Sequence, residues 1–212
     1  MKLITISREF GSGGRELGRR LADLLGYDYY DREIITAIAQ KCDKNESFVE
    51  YALENHWWQT VSLTFSRSFA ASAPLQEMQM QILGAEQEIL RGIAEAGKDC
   101  IIVGRNADVK LRECDPLRIF VCADRDSKID RCLARAVEGE ELTRKQVQKQ
   151  MQEIDRNRAR TRSFLTDDKW GDRASYDLVV NTTGWEMREL APAVADFATR
   201  YFARKSKTDP MK

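Results

Sequence analysis

The chain has one histidine, His56, among its 212 residues. Zinc sites and histidine-assisted nucleophiles therefore have almost no material to work with. Its five cysteines, at positions 42, 100, 114, 122 and 132, are odd in number and form no C-x-x-C pair. They read as reduced thiols and point to the cytoplasm. Long apolar runs are missing too. No stretch approaches the roughly 20 apolar residues of a membrane span, and the opening run breaks at Arg8 and Glu9, too soon for a signal-peptide core. Charge of one sign is also lacking: 34 basic side chains face 34 acidic ones. Neither nucleic acid nor membrane is an expected partner. What remains for chemistry is carboxylates, arginines, backbone amides and a metal brought in by a substrate.

The pattern of what is present is regular. Leu3 to Ser7 is a short apolar run that ends in Phe10-Gly11-Ser12-Gly13-Gly14. Leu17, Leu21, Leu24 and Leu25 then recur at helical spacing until Gly26. Tyr27 to Tyr30 reads as a second strand, and Asp31 stands where it could cap the helix that begins at Arg32. Further strands are expected at Cys100 to Val103, Leu117 to Ala123 and Tyr176 to Asn181. Helices are expected at about 75–96, 143–163 and 186–205. This alternation predicts an α/β fold, one domain over residues 1–212, with a parallel sheet and helices on both faces. In such sheets ligands bind beyond the carboxyl ends of the strands.

The glycine-rich turn between the first strand and first helix predicts an anion site. Several backbone amides can face one phosphate there, and the helix N-terminus adds partial positive charge. Glycine is needed where a side chain would block the approach or where φ must be positive. Gly11, Ser12, Gly13 and Gly14 are the candidate phosphate cradle. The turn lacks the lysine of the G-x-x-x-x-G-K-[ST] pattern. Arg15 is the nearest substitute cation, and Glu16 could serve magnesium through water. Arg8, just before the turn, either contacts a phosphate or braces the loop. A plain tight turn that binds nothing is the competing reading.

Ile4 to Leu17 resembles the opening of the cytidylate kinase-like family of P-loop kinases. Ile102-Val103-Gly104-Arg105-Asn106 resembles that family's Gly-Arg-Asp segment, and Asp115 to Ala123 its next strand. Asp155-Arg156-Asn157-Arg158 resembles its arginine-rich lid. Trp170-Gly171-Asp172 and Tyr176 to Thr182 fit its C-terminal pattern. The resemblance implies a three-layer P-loop fold around a five-stranded parallel sheet. It implies a helical acceptor-binding insertion at about 42–85 and a lid at about 139–168. It also implies transfer of the γ-phosphoryl of ATP, with Mg2+, to a nucleoside monophosphate, CMP or dCMP first. Two features depart from the family pattern: the lysine is absent, and Val103 stands where cytidylate kinases proper have an aspartate. The acceptor base is therefore left open.

Phosphoryl transfer asks chiefly for alignment and cations. Arg156, Arg158, Arg160 and Arg162 offer four guanidiniums, with 158 and 162 on one helix face and 156 and 160 on another. They read as a lid closing over phosphates or as a solvated face. Arg158 and Arg162, with Arg15, are the catalytic candidates, and Arg156 is a phosphate-binding one. Arg158 also joins Asp31, Arg105 and Asp155 as an acceptor-binding candidate, and Asp155 could equally orient the arginines. Arg105, following a buried strand, is either functional or part of a structural pair, and Asp31 could be only a cap. Trp57, Trp58, Phe65 and Phe69 either line an acceptor pocket or form local core or a dimer contact. Monomer and homodimer both remain open. Two rivals to the nucleotide kinase stand beside it: a kinase of another small molecule, and a nucleotide-binding sensor without catalysis.

Overall fold

The described residues of the computed structural model are 1–54, 69–135 and 142–208. The chain runs β1 (Leu3–Arg8), α1 (Gly14–Leu25), β2 (Asp28–Tyr30), α2 (Arg32–Cys42), α3 (Glu46–Glu54) and α4 (Phe69–Glu95). It continues through β3 (Cys100–Val103), α5 (Ala107–Lys110), β4 (Leu117–Cys122), α6 (Arg125–Ala134), α7 (Arg144–Leu165), β5 (Leu178–Asn181) and α8 (Met187–Thr208). The five strands form one parallel sheet in the order β2-β3-β1-β4-β5.

Strand alternation divides the core in two. Ile4, Ile6, Ile101, Val103, Leu117, Ile119 and Val121 point to the side covered by Leu17 and Leu21 of α1 and Ala191, Val194 and Ala198 of α8. Leu3, Cys100 and Ile102 point the other way, onto Ile34 and Ile38 of α2, Val49 of α3 and Ile82 and Leu90 of α4. A parallel sheet buried on both faces needs such near-continuous apolar strands. The cover helices have clear ends. Gly26, at φ 68, stops α1 by returning its N–H to Ala22 O. Thr143 starts α7 with a capping box completed by Gln146.

Element limits differ from the sequence expectation in places. α4 begins at Phe69 rather than near 75, and β5 begins at Leu178 rather than Tyr176. Tyr176 stays outside the ladder because its N–H closes the preceding turn onto Arg173 O at 3.4 Å; its ring packs on Phe120 at 4.9 Å, and Phe120 also takes the edge of Trp170 at 5.2 Å. The aromatic stretch with His56, Trp57, Trp58 and Phe65 lies outside the described residues, as do the Phe69 side chain and the first residues of the expected lid. All five cysteines are free. No described helix is long and apolar enough to cross a membrane.

Because every strand runs the same way, their carboxyl ends share one edge of the sheet. That edge carries the turn after β1, Asp31 after β2, Gly104-Arg105-Asn106 after β3, Asp124 after β4 and Thr182 after β5. α6 and α7 pack together through Ile129, Val147 and Met151, and α7 reaches back to the turn after β1.

Candidate functional site

The turn after β1 is held in shape from several sides. Gly11 and Gly13 have φ of 76° and 84°, a region costly for other residues. Space is equally short. A Cβ on Gly11 would lie 2.9 Å from Lys128 O of α6, and one on Gly14 would lie 2.7 Å from the Arg8 Cβ. Ser12 is fully buried, and its Oγ donates to Glu9 O at 2.8 Å. Thr182 Oγ1 donates to Ser12 O at 2.7 Å, and Arg131 holds Thr182 in turn through its Oγ1 and carbonyl oxygen. The result is a braced loop leading directly into the N-terminus of α1, an arrangement suited to phosphate.

Three guanidiniums meet beside this loop. Arg8, Arg105 and Arg158 all line one cavity of about 610 Å³. Arg8 is nearly buried and lies in the space that Gly104 leaves; any Cβ at Gly104 would collide with its Nη1. Burial, then the neighbouring Arg158 charge, brings the Arg8 pKa down to about 9, against the raising effect of Asp31. A cation held at such a cost gains from a bound anion. Arg105 sits in the left-handed region at φ 60, between Gly104 at φ 80 and Asn106 at φ 49. Its Nε is buried with no hydrogen-bond partner. A buried unpaired donor is expensive in a folded protein and marks a place where a ligand acceptor would fit.

The remaining sequence candidates separate into groups. Asp155 accepts the Phe10 N–H at 2.8 Å, and Arg158 Nη1 donates to Asp155 at 3.2 Å and to Arg8 O at 3.1 Å. Burial raises the Asp155 pKa, although the Phe10 N–H and the Arg158 and Lys128 charges oppose it. Asp31 does not cap α2 with its side chain. It takes Arg15 Nε at 2.7 Å and lies 3.9 Å from Arg8, while its Oδ1 is buried without a hydrogen bond. Arg15, about half exposed, is therefore turned toward the end of β2.

Three candidates are not brought to this cluster. Arg162, read as a second catalytic arginine, is 1% exposed and bonds Asp108 at 2.5 Å beneath the Tyr176 ring. Burial against Asp108 makes it a structural ion pair in this conformation, with its Nε, like that of Arg105, buried without a hydrogen-bond partner. Arg156 is on the exposed face of α7. Glu16, read as a magnesium-side group, has Arg20 on one carboxylate oxygen at 3.0 Å and Arg135 on the other at 2.6 Å. Serving magnesium would require one of these arginines to leave.

Other residues escaped the sequence reading. Glu86 of α4 and Lys110 of α5 form a largely buried ion pair in the cavity wall, near Gln87 and Asn106. Nothing in the pattern of a long helix distinguishes Glu86, since its partner is 24 residues away. Lys128 of α6, paired with Glu9 at 2.7 Å, and Arg131 brace the phosphate loop from outside. Both sit on α6, whose polar positions carry no local motif that singles them out.

The sequence matches the cytidylate kinase-like family over residues 3–184. The chain belongs to that family. Its structure is similar to that of an uncharacterized protein from Eubacterium ventriosum ATCC 27560, with TM-score 0.65 and 21% identity over 94% of this chain and 99% of the other. A shikimate kinase from Acinetobacter baumannii aligns with TM-score 0.54 and 14% identity, covering 95% of this chain and 94% of its own. A shikimate kinase from Bacteroides thetaiotaomicron aligns with TM-score 0.55 and 11% identity, covering 92% and 97%. At such identities the likeness establishes the P-loop kinase fold and nothing about substrate. No curated protein matches the sequence significantly.

Proposed function

We propose that this family member transfers the γ-phosphoryl of ATP to a nucleoside monophosphate, with CMP or dCMP the first acceptors to try. The observation that carries the reading is the convergence of Arg8, Arg105 and Arg158 on one cavity beside the glycine-rich loop. Phosphoryl transfer relies on positioned cations around reactants held in line. On this reading the amides of Gly11 to Gly14 and the α1 N-terminus hold the ATP phosphates. Arg8 and Arg105 hold the acceptor phosphate, and Arg158 neutralises the group in flight. Magnesium carried by ATP would supply further charge neutralisation.

The wall also carries a group suited to reading a base. Glu86 is a buried carboxylate held by Lys110, and a carboxylate accepts the neutral N–H donors that a base edge offers. A cytoplasmic location goes with nucleotide substrates.

The test is ADP release from Mg-ATP against a panel of nucleoside monophosphates, with controls lacking acceptor or enzyme. Strong stimulation by one of them supports the reading and identifies the acceptor. ATP binding with no stimulation by any acceptor overturns it. Two rivals then take over: a kinase of another small molecule, and a catalytically silent sensor, the latter favoured by the missing loop lysine and by the pairing of Arg15 with Asp31.

A further inference from the structure

One turn of α7 grips the phosphate loop with two bonds of opposite sense. Asp155 Oδ1 accepts the Phe10 N–H at 2.8 Å, and Arg158 Nη1 donates to Arg8 O at 3.1 Å. Arg158 also bonds Asp155 at 3.2 Å and lies over the Phe10 ring at 5.9 Å. The Asp155 side chain is only 18% exposed. Its charged surroundings come from three elements: Arg158 on its own helix, Glu9 at the start of the loop, and Lys128 on α6, which bonds Glu9. Phe10 immediately precedes the Gly11–Gly14 cradle, so a carboxylate here is an oxyanion on the backbone amide that adjoins the phosphate site. An N–H cannot serve two anions in good geometry, and two neighbouring anions repel.

We propose that Asp155 is a positioning residue that acts as an internal competitor of phosphate. It holds the Phe10 N–H while the loop is empty and must swing away when a phosphate chain takes that amide. Release of Asp155 loosens the grip of α7 on the loop and frees the Asp155 side of Arg158 for the incoming charge. The lid and the phosphate loop are thus linked by exchange of one anion for another at a single N–H. The inference rests on the glycine-rich turn being an anion site, but not on the protein being a phosphotransferase.

The test uses inorganic triphosphate, which carries a phosphate chain without a base, titrated into the full chain by calorimetry. Asp155→Asn keeps an acceptor oxygen without the charge, and Asp155→Ala frees the amide altogether. Both should bind triphosphate at least about tenfold more tightly than the unsubstituted protein, the scale of one charged hydrogen bond. Unchanged or weaker binding, or no binding by any of the three proteins, overturns the proposal. A residue that merely braced the loop would weaken binding when removed.

Should the variants melt prematurely, the unsubstituted protein gives the answer by NMR. Triphosphate should move the Phe10 amide resonance and the Asp155 side-chain carboxyl resonance together. A carboxyl resonance that stays fixed while triphosphate saturates the loop would sink the idea. Turnover assays keep this separate from the kinase reading. Tighter binding without turnover removes the kinase and keeps the competitor; turnover with unchanged binding does the reverse.

Discussion

Arg158 and Arg162 stand one helical turn apart on the same face of α7, yet their surroundings differ completely. Arg162 is sealed against Asp108 under Tyr176, with both charged side chains 2% exposed or less. Arg158 is about one-fifth exposed, lines the cavity, and has Asp155 and a loop carbonyl among its contacts. Helical spacing tells which residues share a face, but the surroundings opposite decide what each cation does. A cation sealed in the core against a carboxylate serves the fold. A cation on a cavity wall stands where a ligand can reach it.

The comparison can be broken most forcefully at Arg162. Arg162→Ala leaves Asp108 buried and unpaired, and should cost about 3–5 kcal/mol of stability in denaturant melts. Replacing both partners by apolar residues, Arg162→Met with Asp108→Leu, should recover most of that loss. Turnover per folded molecule should stay close to the original in the double variant; a large loss there would return Arg162 to the catalytic set.

Arg158→Ala should show the opposite profile, with little change in melting. Turnover should fall roughly 100-fold, the scale of losing one preorganised transition-state contact. An unchanged rate at saturating ATP would remove the lid from the mechanism. Gly104→Ala sharpens the picture from the other side of the cavity. The added methyl takes the space of the Arg8 guanidinium and must sit on a backbone at φ 80, which disfavours alanine, so a cost of about 1–3 kcal/mol is expected. Acceptor KM should rise more than kcat falls, because Arg8 is displaced from the acceptor side. The smallest effect is expected at Arg15, which is half exposed and turned to Asp31. Arg15→Ala should lower turnover about tenfold, below the full range for a buried contact, and a near-normal rate would end its candidacy as the lysine substitute.

Much of this was legible in the sequence, for identifiable reasons. The strands could be read because both faces of the sheet are buried, so β1, β3 and β4 are continuous apolar runs. The phosphate loop could be read because its glycines answer local demands of φ and space. Arg105 and Arg158 could be placed near one another because each follows or occupies an element whose direction fixes where it points. The pairings were not legible. Asp108 and Arg162 are 54 residues apart, and Glu86 and Lys110 belong to helices that meet only when the chain folds. Glu16 failed for the same reason, since Arg135 closes on it from 119 positions away.

The turn after β3 holds Arg105 at a positive φ with its Nε unsatisfied, and no ordinary folding requirement calls for an arginine there. Glycine at 105 would relieve the backbone and remove the orphaned donor together. Position 105 is therefore a place where endurance and activity pull in opposite directions. Variants selected only for heat resistance should drift toward glycine at 105, and variants selected for turnover should hold the arginine.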